Sequence, residues 1–159
     1  MNSRYAVLAL ALAVALLGPS ATAFAVSVHY AADEALLHQV LGEMDIEYEV
    51  AADENGDPVW VFIYSGVFIT IVSYDETTPD RYASLLFYAG WAAHSSVSLF
   101  EINDWNSRSR FGRAYIDETG DPVIELDLLL AGGVTSQTLK EYIEIFVAAA
   151  SDLGVALRL

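Results

Sequence analysis

The stretch from Asn103 to Thr135 limits the fold more than any other part of the chain. It reads as the end of a helix, a strand over residues 111–116, the tight turn Asp117-Glu-Thr-Gly-Asp-Pro122, a second strand over residues 123–130, and the breaker pair Gly132-Gly133 before a capping Thr135. In the second strand Ile124, Leu126, Leu128 and Leu130 point one way, and Val123, Glu125, Asp127 and Leu129 the other. Placing Gly112, Ala114 and Ile116 of the first strand on the same core puts Arg113 and Tyr115 on the opposite face with Glu125 and Asp127. That predicts a cross-strand ion-pair cluster.

The rest of the chain supplies layers to pack against this hairpin. Leu36, Leu37, Val40, Leu41 and Met44 fall at helical spacing behind Asp33, a predicted N-cap. Residues 46–50 alternate apolar and acidic, which predicts a half-buried strand, and Asp53-Glu-Asn-Gly-Asp-Pro58 predicts a hairpin turn. Residues 59–64 and 67–74 are β-branched and aromatic almost throughout, with only Ser65-Gly66 between them. They predict two central strands covered on part of both faces. Residues 75–80 read as a loop and 82–88 as a further strand. Ser98 and Glu101 have capping-box spacing, with Val97 and Ile102 placed as a hydrophobic staple. Leu99, Ile102, Asn103 and Asn106 then share a helix face, both amides bonding to neighbouring backbone, and Trp105 sits at its edge. Val134 and Leu139 make a second staple, and Leu139, Ile143, Phe146, Val147, Ala150 and Leu153 keep helical period to the end. The order is αββββαββα, an α+β domain with a mostly antiparallel sheet.

Residues 1–25 differ in kind. Arg4, the apolar run over residues 6–17, the breakers Gly18-Pro19 and the small residues Ala21, Ala23 and Ala25 have the order of a secretory signal peptide, cleaved after Ala23 or Ala25. A membrane span needs about 20 apolar residues, more than this run holds. The expected mature domain is residues 26–159, periplasmic or secreted, with no stable membrane insertion. Lacking cysteine, it can form no disulfide. Cleavage also removes Arg4, so six of the seven basic residues face 22 acidic ones. Such a field repels phosphate backbones, which argues against nucleic acid as a partner.

No catalytic constellation stands out, so no enzyme activity, cofactor or metal is expected. His29, His38 and His94 have no ligand at metal-binding spacing, and the common hydrolase and nucleotide motifs are missing. The turns 53–58 and 117–122 echo each other, yet an asparagine or threonine stands third from each opening aspartate, and Tyr64 and Leu128 fill the twelfth positions of an EF-hand. Turn chemistry accounts for the echo. Glu125 and Asp127 share a strand face as a carboxylate pair would, but Arg113 on that face argues for neutralisation.

Asn103, Trp105-Asn106, Arg110-Phe111, Arg113-Ala114-Tyr115, Glu125-Leu126-Asp127 and Gly132-Gly133-Val134 together resemble the YbjN family of bacterial proteins, often labelled sensory transduction regulators. The resemblance covers most of the chain from Asp33 onward. It implies a fold like that of the type III secretion chaperones, a small α/β sandwich of order αβββαββα that commonly dimerises and holds partly unfolded clients. Two features depart from that pattern: one more strand before the middle helix, and an export signal. The expected function is a non-catalytic exported protein- or peptide-binding module, chaperone-like, homodimeric and regulatory; the alternative is a periplasmic hydrolase using carboxylates. The expected interaction surface holds Trp105, Arg113, Tyr115, Glu125 and Asp127, with Asn103, Asn106, Phe111, Gly132 and Gly133 as its structural frame.

Overall fold

The computed structural model describes residues 26–92 and 97–159. Its elements are β1 (Val28–His29), α1 (Glu34–Glu43), β2 (Tyr48–Ala52), β3 (Pro58–Tyr64), β4 (Val67–Thr78), β5 (Arg81–Gly90), α2 (Leu99–Arg108), β6 (Arg113–Ile116), β7 (Pro122–Leu129), β8 (Val134–Thr135) and α3 (Ser136–Leu157). The predicted leader with both cleavage positions, and His94, lie outside the described residues. Six strands pair antiparallel in the order β2-β3-β4-β5-β7-β6. This is the predicted α+β architecture, and the four strands between the first two helices are those read from the residues.

Local chemistry sets the element ends. The Asp33 carboxylate accepts the Leu36 N–H at 2.8 Å and caps α1. Ser98 and Glu101 form the predicted capping box on α2, and Thr135 Oγ1 accepts the Thr138 N–H at 3.0 Å to open α3. Ser65 and Gly66 both take positive φ, 50° and 81°, the backbone sense that joins right-twisted strands in a two-residue hairpin. Gly133 must be glycine twice over: its φ is +86°, and a Cβ there would stand 2.7 Å from Val28 Cγ1.

The packed core cluster lies on one side of the sheet, with Val123 of β7 buried on the other. Trp60, Ile69, Ile71, Leu85, Phe87 and Ile124 are buried on the core face against Phe146, Ile143 and Leu139 of α3, with Leu37 and Leu41 of α1 completing the cluster. Phe87 and Phe146 meet with ring centroids 5.8 Å apart. β3 and β4 are central strands, as expected, and on the second face Val59, Val61, Thr70 and Val72 are half-buried, though no described helix packs there. Ile63 and Phe68 stand on the second face 66% and 56% exposed. An apolar run in both alternation phases reports hydrophobicity and not which layer covers it.

Three further expectations change. Residues 75–80 are not a loop: β4 runs 12 residues to Thr78 and turns within Pro79-Asp80 into β5. Backbone pairing outruns the core here because polar side chains support it, Ser84 Oγ donating to Asp75 at 2.6 Å and Thr77 Oγ1 to the Arg81 carbonyl at 3.1 Å. The strand predicted from Phe111 begins only at Arg113, since Gly112 at φ +82° breaks extended geometry and leaves Phe111 37% exposed outside the core. Finally, β1 and β8 pair with each other, Val28 opposite Thr135 and His29 opposite Val134. That ribbon ties the first described residues to the start of α3, a contact too distant in sequence for periodicity to reveal.

Candidate partner-binding site

The open sheet face is built from the residues that alternate out of the core. Antiparallel register lines them up in rows across the strands. One row runs Val61, Thr70, Tyr88, Glu125, Arg113, and the next runs Val59, Val72, Leu86, Asp127. The face is therefore aliphatic and aromatic toward β3 and β4 and charged toward β7 and β6. Ile63, Phe68, Tyr74 and Leu129 are its most exposed apolar members.

The predicted cluster is present at the charged end. Arg113 lies directly opposite Glu125 and its guanidinium pairs with that carboxylate. The Tyr115 hydroxyl donates to Glu125 Oε1 at 2.7 Å, and the Arg113 guanidinium stands 5.7 Å from the Tyr115 ring centroid. Asp127 is exposed beside them, at the rim of a hollow of about 430 Å³ that Tyr74, Asp75, Ser84 and Leu86 also line.

Charge and burial tune the cluster. Burial, then the hydrogen bond to Glu125 and its negative charge, push the Tyr115 hydroxyl from 10 up to about 12, while the same carboxylate raises Arg113. Because folded Tyr115 holds its proton more tightly than the unfolded chain does, its contribution to stability is complete below about pH 10. It is lost as pH rises through about 12. In Glu125→Gln the Tyr115 transition moves from about 12 toward 10, stopping short because burial remains. The wild-type minus variant difference in ultraviolet tyrosinate titrations checks this, and superimposable curves would remove Glu125 as a cause.

Trp105 does not share this face. It sits on α2 on the helix side of the sheet, 3% exposed, with its indole N–H donating to Asp152 of α3 at 2.8 Å. Ile102 and Trp105 are the buried residues of α2, whereas Leu99 is 72% exposed. The helix is therefore rotated from the expected face, and Trp105 is at its centre and not its edge. Asn106 does what was predicted, donating to the Ala114 carbonyl at 2.8 Å and accepting the Ala114 N–H at 3.0 Å. Its amide thus pairs with the edge strand β6 as another peptide unit would. Asn103 is exposed on the far side and bonds to no neighbouring backbone among the described residues. Gly132 and Gly133 lie after β7, at the turn into β8, and frame the clasp instead of the face.

The two echoing turns have one geometry. Asp53 Oδ1 accepts the N–H groups of Asn55 and Asp57 at 2.8 and 2.9 Å, and Asp117 Oδ1 accepts those of Thr119 and Asp121 at 2.9 and 3.0 Å. These bonds, the one from Asp57 and the one from Asp121 foremost, hold both carboxyls below their usual range. Each aspartate therefore serves its own loop. Among the described residues, no group of three histidine, aspartate or glutamate side chains is placed to hold a metal ion. No described helix is long and apolar enough to cross a membrane.

No curated protein matches the chain. Among solved structures it is similar to the Yersinia pestis type III secretion chaperone SycH, crystallised in complex with a stable fragment of YscM2. Identity is 12%, coverage is 77% of this chain and 97% of that chain, and the TM-score is 0.52. At that identity the likeness is one of fold. In sequence, the YbjN model, described as "Putative bacterial sensory transduction regulator", matches residues 33–158. That span takes in every element from α1 to α3 and every residue of the open-face cluster, and with it the chain belongs to the YbjN family.

Proposed function

We propose that the chain is an exported, non-catalytic module that holds a protein or peptide partner on the open face of its sheet, in the manner of a chaperone and with a regulatory role outside the cytoplasm. The observation that carries this reading is the open face itself, where exposed Ile63 and Phe68 lie at one end, Tyr74 and Leu129 at the other, and the Arg113–Glu125 row between them. Large apolar side chains left exposed on one sheet face mark a surface for a partner to cover. The chaperone that shares the fold is seen with a protein fragment bound, which supports the same class of partner here. Location outside the cytoplasm rests on the leader pattern in residues 1–25.

Hydrolysis receives no comparable support. Glu125 already accepts hydrogen bonds from Arg113 and Tyr115, so it is not poised to take a proton from water. Of the described histidines, His29 stands beside Ser136 and His38 beside Tyr48, and neither lines the hollow near Asp127.

The test is site-specific photo-cross-linking in the native envelope, with benzoylphenylalanine replacing the exposed Asp127. A discrete adduct is expected, and its mass identifies either a different protein or a second copy of this chain. Introducing Arg113→Glu should cut the yield by roughly tenfold through loss of charge complementarity. Because Glu125 is only 11% exposed and would face a second carboxylate in the reversed variant, Arg113→Gln is measured beside it, and the circular dichroism of both variants checks that the fold is kept. Light scattering of the purified protein sets the stoichiometry. No adduct, or one indifferent to Arg113, would sink the assignment.

A further inference from the structure

On the helix side, a second concavity lies between the C-terminal end of α2 and the middle of α3. It encloses about 300 Å³. Sequence explains the hollow: α3 presents Ala148 and Ala149 where larger side chains would fill the space, and the Trp105 indole closes the floor. Phe111, expelled from the core by the break at Gly112, stands as one wall. The lining is mainly apolar and the volume suits one or two side chains, at the lower limit of a small-molecule pocket.

Charge at the rim has the unexpected sign. In a chain with 22 acidic and seven basic residues, two arginines, Arg108 and Arg110, edge this hollow. Asp104 is paired by Arg108, whereas Asp152, which itself lines the hollow, accepts only the neutral Trp105 indole N–H among the described residues. Arg110 instead lies over the Phe111 ring, 4.9 Å from its centroid, and pairs with no carboxylate among the described residues. Lying over that ring it stays exposed, with its N–H edge open to an incoming carboxylate.

We propose that this hollow seats an apolar side chain of an acidic peptide segment, with Arg110 meeting a carboxylate beside that side chain. The inference rests on the reading of the chain as a peptide-binding module and adds the chemistry of the segment recognised. It also gives the molecule two sites of opposite character, because the nearby Glu47 and Glu49 make the apolar end of the open face acidic.

The test is a titration of the purified ¹⁵N-labelled protein with two acetylated peptides, Asp-Glu-Leu-Phe-Asp-Glu and its charge-reversed counterpart Lys-Arg-Leu-Phe-Arg-Lys. The acidic peptide should shift the Trp105 indole N–H resonance, and Arg110→Glu should weaken that response by about tenfold or more. Arg110 is exposed, so the variant keeps the fold. Ala148→Trp, an exposed helix position that fills the mouth, should independently abolish the shift. Two results overturn the inference: no response at Trp105 to the acidic peptide, or a response that persists in Arg110→Glu. If only the basic peptide binds, shifting Val61 and Ile63 instead, the hollow is not the site while peptide binding itself stands. Failure of both peptides together with absence of any cross-linked adduct counts against the module reading as well.

Discussion

Trp105→Ala should lower the unfolding free energy by about 3–5 kcal/mol, the range for removing a large buried aromatic side chain. Trp105 is 3% exposed between α2 and α3, and it is with Ile102 what anchors α2 to the rest of the core. Truncation leaves a void bounded by helix backbones that cannot close in without losing their own packing. Against a typical total of about 5–15 kcal/mol, the loss is a large fraction of stability. Urea denaturation of wild type and variant measures it, with the midpoint expected to fall at unchanged slope. Trp105→Phe separates the two contributions of the ring. It keeps most of the contact area and deletes the hydrogen bond to Asp152, which is exposed and can turn to water, so the hydrogen-bond share is about 1 kcal/mol. The alanine variant should lose stability while its folded fraction still forms the partner adduct, whereas Arg113→Gln should lower the adduct yield with little change in midpoint. A Trp105→Ala protein with a wild-type midpoint would show that the indole is not part of the core.

Asn106→Ala should cost about 2–4 kcal/mol, although only a small polar side chain is removed. Its amide makes two hydrogen bonds to one peptide unit, accepting from the Ala114 N–H and donating to the Ala114 carbonyl. Ala114 is 3% exposed at the sheet edge, so truncation orphans a donor and an acceptor that water reaches poorly, each worth about 1–3 kcal/mol. Asn106→Asp is the sharper comparison. It keeps an acceptor for the Ala114 N–H but sets a carboxylate oxygen against the Ala114 carbonyl, and it should be no better than alanine at neutral pH. Hydrogen exchange gives the local readout: protection of the Ala114 amide should fall in both variants more than that of Phe146 in the core. Equal loss at both amides would mean that the variants act only through global unfolding.

Much of this architecture was legible because it is governed by neighbours in the chain. Asp33, Ser98 and Thr135 cap helices through hydrogen bonds that span three residues, so composition at fixed spacing announces them. Alternation along residues 123–130 put Glu125 and Asp127 on the face away from Ile124 and Leu128, and placing Ala114 and Ile116 on the core put Arg113 and Tyr115 with them. The Arg113–Glu125–Tyr115 cluster was therefore readable from alternation in the two strands. The same logic misplaced Trp105, because a helical period fixes which residues share a stripe but not which stripe turns inward. Asn103 and Leu99 belonged to a plausible stripe that the packing of α2 against α3 rejected.

What the sequence determined by itself is thus the three helices with their N-caps, the six strands of the main sheet apart from their ends, the hairpin turns after β2, β3 and β6, and the side of each strand, since these depend on backbone geometry and on contacts a few residues away. The family resemblance was legible for the same reason: its motif residues cluster within local elements, and the family model matches the span that holds them. Tertiary structure alone decided three things: that no described element packs over the second sheet face, that β1 clasps β8, and that Trp105, Phe111 and Ala149 surround one hollow edged by Arg110. Each depends on how layers are stacked and on contacts between distant residues. Their free energy comes from excluding water between surfaces, which is non-directional, so hydrophobic pattern names the surfaces without saying which of them meet.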